Sequence, residues 1–498
     1  MKISSSTKYL FLIFLISFVF YFPSLSAFYT NDDFFHLRIS QANNVGDFLN
    51  YFNLFSSAPG FPNFRPLTTQ AFYFLSWKLF KLNPLGLHVI SFLAFFGVIY
   101  LVYRLTKLLL STHDSRLTTH APLIAAFLYA ISATHFGHLY FLGAFQELGM
   151  TFFFLLSVIF FINFLRTRSN FAYFVSLITF LLSLLSKETA VVLPLALVVV
   201  YWYFKTTKQT RLSLGKICVS LAPYYILLAT YFYLRLVQYG FAQGESYIWD
   251  FSFRRAINTL GWYGLWSFNL PEMLVDFVGP GLKFNPNLFK FFSREIVPIF
   301  VIFSILVIFL FNFLYQKLRK VRFKLEIRNW KLEIFGMVWF VLTLLPVIFL
   351  PLHKFTYSLT LPLFGVIVPV SYLLTSNRSR LLAFSFMTCW FLLSLITLNL
   401  TRETHWITQG AQVAARVHAY LMSNKELMES YKIIVFYDSP EDEELPWRPS
   451  ELLKVVLSDQ NYFKVFWNDK LTARYYNSEN EIRESNAIEI KARKFLNY

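Results

Sequence analysis

The sequence predicts an all-α polytopic membrane protein, and three observations lead to that fold class. Hydrophobic residues make up 56% of the 498-residue chain, and its mean hydropathy is +0.49. Charged residues make up only 15%, whereas an ordinary soluble domain has about 25%. Apolar runs of helix length recur along the chain. We therefore expect a bundle of about eleven transmembrane helices, with interfacial helices in the first outer loop and a small α/β C-terminal tail.

The apolar runs are placed by their hydropathy. A helix that crosses a bilayer perpendicularly needs roughly 20 residues. The predicted spans are Tyr9 to Phe28, Leu87 to Tyr103, Ala121 to Phe141, Leu148 to Leu165, Phe171 to Leu185, Ala190 to Phe204, Leu214 to Leu236, Ile296 to Leu314, Ile334 to Leu352, Tyr357 to Leu374 and Leu381 to Leu400. Several runs are short, so we expect tilt or extension into a loop for them. For the first run, the small residues Ser24 to Ala27 leave a cleaved signal peptide as the alternative.

The distribution of Lys and Arg predicts the orientation, because short basic loops stay on the cytoplasmic side. Alternate loops are basic, from Lys2 and Lys8 at the N-terminus to the run Lys317 to Lys324 and the pair Arg378 and Arg380. We expect a cytoplasmic N-terminus in a plasma or inner membrane, with the other loops and the tail outside the cytoplasm. The net charge of +17 comes from dispersed residues rather than one basic face, so no nucleic-acid partner is expected.

Two further regions are predicted outside the spans. Residues Phe64 to Leu82 place apolar side chains at helical spacing, which is typical of a helix lying in the membrane interface. The chain divides into a membrane domain, 1–400, and a tail, 401–498. In the tail, the pattern predicts strands at Lys432 to Tyr437 and Tyr462 to Trp467, with helices at Gln409 to Met422 and Ser450 to Leu457.

An acidic pair, Asp32 and Asp33, follows the first span directly, with His36 one helical turn later. Carboxylates beside hydrocarbon are costly, so the pair is a functional-site hypothesis by default. The plainer interpretation is that both residues cap the following helix. Adjacent side chains on a helix point apart. We therefore expect Asp32 to be the reactive carboxylate, and Asp33 to bind a metal, a sugar hydroxyl or a neighbouring loop.

Several short motifs on the same predicted face carry a family resemblance. Besides the acidic pair, they are Phe64-Arg65-Pro66-Leu67, Ser186-Lys187-Glu188, Glu147 at the start of the fourth span, and Lys354 with Tyr357 before the tenth. Together they resemble the GT-C superfamily of membrane glycosyltransferases, in particular the protein O-mannosyltransferase and aminoarabinose-transferase branch. The run Asp32 to Arg38 is also similar to the Asp-Pro-Tyr-Tyr-His-Leu-Arg run of oligosaccharyltransferase catalytic subunits. The resemblance is strongest over the first two hundred residues and does not extend to the tail.

The resemblance implies a GT-C-like bundle that transfers a sugar from a polyprenyl-phosphate donor to an acceptor, with inversion, outside the cytoplasm. Asp32 would take the proton of the acceptor hydroxyl. Arg65, Lys187 and Lys354 would stabilise the departing phosphate, although Lys at 354 stands where relatives carry Arg. Asp33 is the supporting carboxylate, and His36, Glu147, Glu188 and Tyr357 are expected to contact substrate. Metal dependence is left open, since relatives differ.

Other interpretations remain at this stage. His135 and His138 lie three residues apart, which suits a metal, but no third ligand is identifiable from the sequence. A lipid-linked sugar flippase or transporter would also be polytopic and basic inside, and such proteins typically have charged or broken segments at mid-membrane. An inactive scaffold of the same fold is the third interpretation. The sugar and the acceptor are not encoded in any recognisable motif.

Overall fold

The computed structural model describes residues 5–55, 64–112, 115–240, 247–320, 330–376, 379–445, 447–484 and 486–496. The helices up to residue 206 are α1 (Ser5–Tyr21), α2 (Asp32–Ile39), α3 (Val45–Asn50), α4 (Ala71–Lys78), α5 (Pro84–Leu109), α6 (Ser115–Ala130), α7 (Phe136–Tyr140), α8 (Phe145–Thr167), α9 (Asn170–Leu184) and α10 (Leu193–Thr206). They are followed by α11 (Leu214–Tyr239), α12 (Phe253–Trp266), α13 (Leu274–Phe277), a hairpin of β1 (Val278–Gly279) and β2 (Lys283–Phe284), α14 (Pro286–Lys320), α15 (Lys331–Ile348), α16 (Leu363–Ser376) and α17 (Arg380–Thr404).

Eight helices among the described residues are long and apolar enough to cross a membrane. The pair Leu117–Ala130 and Ala133–Tyr140, bent by 51°, makes a ninth if it crosses as one broken span. Two shorter apolar helices, α9 and α16, coincide with two further predicted spans. Multi-pass membrane character is therefore confirmed, whereas the count of eleven and the orientation stay predictions. Lys2, Arg378 and the basic residues from Val321 to Lys324 lie outside the described residues.

Burial separates central from peripheral helices. In the span that contains α8, 67% of the apolar window is buried, against 22% for α11 and for α14. Close approach in the bundle depends on small residues. Gly336 of α15 and Gly365 of α16 face each other so closely that a Cβ on either would overlap the backbone of the other helix. The peripheral helix α11 borders the candidate site on one of its sides.

The segment predicted to lie in the membrane interface is helical. A π-helical turn, Pro66–Gln70, continues directly into α4. The buried face of α4 carries Phe72, Tyr73 and Ser76, whereas Leu79 at its C-terminal end is 65% exposed. The apolar side chains at helical spacing that predicted an interfacial helix therefore lie on the more exposed side of α4. The location of this helix in a membrane interface stays a prediction.

The tail forms a small α/β unit. Its elements are α18 (Trp406–Ser423), α19 (Lys425–Glu429), β3 (Ile433–Tyr437), α20 (Pro449–Val456), α21 (Asn461–Trp467), β4 (Thr472–Tyr476) and β5 (Ala487–Lys491). The strands form a parallel sheet in the order β4-β3-β5. The strand predicted at Tyr462 to Trp467 is wrong, because this aromatic run forms α21 and buries its rings against its neighbours. Packing here overrides β-propensity. The predicted boundary at residue 400 falls inside α17.

Candidate active site

A cavity of about 620 Å³ lies where α2, the π-helical turn, the segment between α9 and α10 and the loop before α16 meet. Six of the nine site residues predicted from the sequence line it: Asp32, His36, Arg65, Lys187, Glu188 and Tyr357. The structure thus brings together side chains from four separate segments of the chain. The other three, Asp33, Glu147 and Lys354, do not line the cavity.

Arg65 is the most heavily bonded side chain of the site. Its Nε donates to Glu188 Oε2 at 2.7 Å, its Nη2 donates to Glu188 Oε1, and its Nη1 donates to Gln146 Oε1. Burial alone would lower the pKa of the guanidinium, but the Glu188 carboxylate raises that pKa above its ordinary value. Arg65 is therefore a fixed cation, and the two-point pairing sets the plane of its guanidinium.

Local backbone contacts explain why Arg65 and Glu188 meet. Arg65 precedes a proline, a position that disfavours the helical region. Its backbone is indeed non-helical, with φ -135° and ψ 56°. The next turn is joined to the end of α9, since Leu67 N–H donates to Leu185 O at 3.2 Å and Thr68 Oγ1 donates to Ser186 O at 2.6 Å. The two motifs found in the sequence are thus neighbours in one hydrogen-bonded unit.

Lys187 forms the second cation of the site. Its Nζ donates to Glu147 Oε1 at 2.6 Å, and Glu147 is buried beneath it. The same ammonium lies 5.6 Å from the ring centre of Tyr357. This separation is within range of a cation–π interaction. Glu147 thus contacts Lys187 rather than the cavity, and Tyr357 forms part of the wall.

Asp32 differs from the other charged residues of the site. Its carboxylate lines the cavity and makes no hydrogen bond to any residue in the part of the chain that the structure describes. This carboxylate is accessible because it projects into open space. Burial by the surrounding walls raises the pKa of the Asp32 carboxyl, whereas the positive charge of Arg65 lowers that pKa. A carboxylate with a raised pKa and a free acceptor atom is suited to take a proton.

Asp33 points away from the cavity, as helical geometry predicts for an adjacent residue. Its carboxylate accepts a hydrogen bond from the Tyr73 hydroxyl of α4 and one from the Thr30 N–H at 3.0 Å. Burial raises the pKa of this carboxyl from 3.8 to about 7, against the lowering effect of those donors. Of the roles expected for Asp33, contact with a neighbouring segment is the one that this geometry fits.

Two histidines in the cavity wall are neutral. Burial and the nearby Arg65 lower the pKa of His36 to about 3. Burial, together with Lys187 and Arg65, lowers the pKa of His353 to about 4. The His353 ring stacks on the Tyr247 ring, with the two ring centres 4.4 Å apart. Neither histidine therefore changes charge near neutral pH.

The remaining predicted groups lie elsewhere. Lys354 is half-buried and interacts electrostatically with Asp276 rather than with the cavity. His135 and His138 are buried in the bundle with ring centres 5.0 Å apart, and His135 Nε2 is bonded to Tyr129 O. Within the described ranges, no three His, Cys, Asp or Glu side chains come together. The described residues thus form no site for a metal held by three or more protein ligands.

The cavity also contains residues that the sequence reasoning did not select. Arg235, near the end of α11, lies 3.9 Å from Glu188 and is a third cation of the wall. Tyr247 and Gln146 contact Arg65. The signal for Arg235 was present in the sequence, as a charged residue inside an apolar run. Tyr247 and Gln146 carry no charge, and no sequence pattern marks them.

Part of the cavity wall is apolar. It is formed by Val192, Phe232, Leu236, Leu345, Val347 and Leu350. Phe232 and Leu236, each 38% exposed, belong to the peripheral helix α11. The cavity is therefore bordered by a helix that also carries strongly exposed apolar residues, such as Val219 at 74%. Such a site suits a ligand with an anionic head and a hydrocarbon tail.

Together these features place one carboxylate, without a hydrogen-bond partner among the described residues, in the same cavity as three guanidinium or ammonium groups and a set of apolar wall residues. The arrangement can accept a proton on one side and stabilise a developing negative charge on the other. When the chain is compared with protein-family models, with curated proteins and with solved structures, no match is found.

Proposed function

We propose that the chain is a membrane glycosyltransferase of GT-C type, which transfers a sugar from a polyprenyl-phosphate donor to an acceptor hydroxyl outside the cytoplasm. The observation that carries the proposal is the cavity, where the Asp32 carboxylate has no hydrogen-bond partner among the described residues and shares the lining with Arg65, Lys187 and Arg235. The apolar wall along α11 supports a lipid-linked substrate over a soluble one.

The proposed reaction assigns one task to each side of the cavity. The acceptor O–H gives its proton to Asp32 while its oxygen attacks the anomeric carbon of the sugar. The bond from that carbon to the phosphate oxygen breaks, and the lipid phosphate leaves with the electron pair. Arg65, Lys187 and Arg235 stabilise this phosphate electrostatically. Attack opposite the leaving phosphate inverts the anomeric centre.

The decisive experiment compares Asp32→Asn with Asp47→Asn in protein purified into lipid nanodiscs. Asp47 lies in the same outer loop, accepts hydrogen bonds from the Asn43 and Asn44 N–H groups, and does not line the cavity. Polyprenyl-phosphate donors with radiolabelled hexose or pentose are offered together with hydroxyl acceptors from a membrane extract. We expect transfer by the wild type and by Asp47→Asn, and a loss of about 10²- to 10⁴-fold in Asp32→Asn with an unchanged melting temperature.

Two results would contradict the proposal. Sugar transfer at the wild-type rate by Asp32→Asn would show that Asp32 is not the general base. Movement of the intact donor across vesicle membranes by the wild type, with no glycosylated product, would favour the flippase interpretation instead.

A further inference from the structure

We infer that the C-terminal unit, residues 406–496, is a positioning element for Asp32. It contacts the residues Thr30 to Asp33, which we call the acidic turn, through α18 and α20, and it contacts α2 through α21. The inference rests on the proposed function, because the task concerns the proposed base. It assigns a role to the part of the chain that carries no motif.

The first contact is a backbone hydrogen bond. Asn31 N–H donates to Val456 O at 2.8 Å. Val456 is the last residue of α20, where carbonyl groups lack the partner that a continuing helix would provide. The acidic turn supplies that partner. The residue next to Asp32 is thus tied to the tail by a bond that does not depend on side-chain identity.

The second observation is the backbone of Asn31 itself. Its φ is 50° and its ψ is -121°. This combination lies outside the left-handed helical region that Asn tolerates. Such conformations persist when surrounding contacts hold them, and they concentrate at functional sites. Because Asp32 follows directly, the direction of its side chain depends on this conformation, and the Val456 bond is one of the contacts that hold it.

The third contact requires a glycine. Gly410 of α18 lies against the acidic turn, and a Cβ there would be 2.8 Å from Thr30 Oγ1 and 3.3 Å from Asn31 Oδ1. Contacts under 3.0 Å force something to move. Any larger residue would therefore displace the Thr30 side chain and disturb its hydrogen bond to Asn31 Oδ1 within the acidic turn, whereas glycine allows the close approach. The turn lies against the end of α20 and the second turn of α18.

The fourth observation is the two-sided character of α2. Asp32 and His36 line the cavity, and residues four apart share one face of a helix. Phe34 and Arg38, also four apart, face the tail: the Phe34 ring meets Tyr462 edge-on at 5.3 Å, and Arg38 Nη1 donates to Asn461 Oδ1 at 2.9 Å. The helix thus has the cavity on one face and α21 on the other. A shift of the tail would be transmitted to Asp32 through α2.

The test is Gly410→Ala, with Gly215→Ala as the matched control. A methyl group at Gly215, near the start of α11, would meet nothing within 4 Å. We expect kcat for sugar transfer to fall about 10- to 100-fold in Gly410→Ala, with KM for the lipid-linked donor unchanged. Amide hydrogen exchange should become faster in residues 30–38 and stay unchanged in the segment around Lys187.

A coupled variant separates positioning from general damage. Thr30→Ala removes the oxygen that the new methyl group would strike, so Gly410→Ala/Thr30→Ala should lose less activity than the product of the two single losses. Equal rates in Gly410→Ala and Gly215→Ala would overturn the inference. A parallel rise in KM, or faster exchange throughout the protein, would also overturn it, since either would indicate unfolding.

The exchange measurement does not depend on the proposed function. If the wild type transferred no sugar, faster exchange confined to residues 30–38 would still support the structural link, and the proposed function alone would fail. If the wild type transferred sugar and Gly410→Ala changed neither kcat nor exchange, the positioning role alone would fail.

Discussion

The two charged sides of the cavity are held in different ways. On the cation side, Arg65 and Lys187 are each bonded to a carboxylate of a neighbouring segment, and side chains hold one another in place. On the acid side, Asp32 has no hydrogen-bond partner among the described residues, and the backbone around it is fixed by the C-terminal unit. A group that must release and take up a proton thus has no hydrogen-bond partner among the described residues, whereas Arg65 and Lys187, which supply a constant field, are each paired with a carboxylate.

This difference predicts how each side responds to substitution. Changes on the cation side should cost stability as well as activity, because they leave a buried charge without its partner. Changes at Asp32 should cost activity alone. Substitutions on both sides can test that contrast, and the largest effect is expected at Arg65.

Replacement of Arg65 by alanine should have the greatest consequence. The Glu188 carboxylate would lose its two-point partner, so we expect the free energy of unfolding to fall by about 3–5 kcal/mol and transfer to be abolished. Arg65→Lys should lose less stability, since it keeps the charge but not the planar fork. Denaturant titration in mixed micelles measures the free energy of unfolding of both variants.

Arg255→Ala is the control for this substitution. Arg255 is 59% exposed and pairs with Asp250 at 3.1 Å. Such surface pairs contribute little to stability, because solvent and salt screen them. If Arg65→Ala cost no more stability than Arg255→Ala, the proposed contrast between the two sides would be wrong.

The pair of Lys187 and Glu147 can separate structural from functional roles. Lys187→Met alone leaves the buried Glu147 unpaired and should cost about 3 kcal/mol of unfolding free energy. Lys187→Met/Glu147→Gln removes both charges and should restore most of that stability. Sugar transfer should stay low in the double variant if Lys187 stabilises the leaving phosphate. Recovery of transfer along with stability would show that Lys187 has only a structural role.

Asp33 predicts a pH dependence of stability. Its carboxyl has a pKa of about 7 in the folded protein against an ordinary value of 3.8, so the folded state holds this proton more tightly than the unfolded state. The stability it contributes is complete below about pH 4 and is lost as the pH rises through 7, by about 2–4 kcal/mol. Thermal unfolding from pH 4 to 8 measures this loss. Asp33→Asn should flatten the curve, and an unchanged slope would contradict the assignment.

The smallest effect concerns the histidines. Because the pKa values of His36 and His353 are about 3 and 4, neither should produce a limb near pH 6.5 in the profile of kcat/KM. The profile should show one ascending limb from Asp32, above the ordinary range of an aspartate. We expect His36→Gln to keep this limb and to lower the rate by less than about tenfold. A limb near pH 6.5 that disappears in His36→Gln would make His36 the base instead.

The sequence could predict what depends on local pattern. Apolar runs predicted the membrane helices, and short motifs such as Arg65-Pro66-Leu67 and Ser186-Lys187-Glu188 marked the cation side, because charge beside hydrocarbon is rare enough to notice. The two carboxylates could be separated by helical geometry alone. What failed had no local signal: aromatic residues suggested a strand where packing makes α21, and Tyr247 has no distinguishing neighbours. The contacts of the acidic turn and α2 with the tail join residues as far apart as Arg38 and Asn461, 423 positions along the chain.

That separation has a consequence for how the protein is made. Ribosomes deliver the chain from its N-terminus, and early segments fold or insert before later ones exist. Asp32 is synthesised long before α20 and α21, which follow it by more than 400 residues. Until Val456 has been added, the acidic turn lacks the hydrogen bond from Asn31 to Val456. A nascent chain can thus carry every charged group of the cavity and still lack the contacts that hold Asp32, which form only after α20 and α21 have been made.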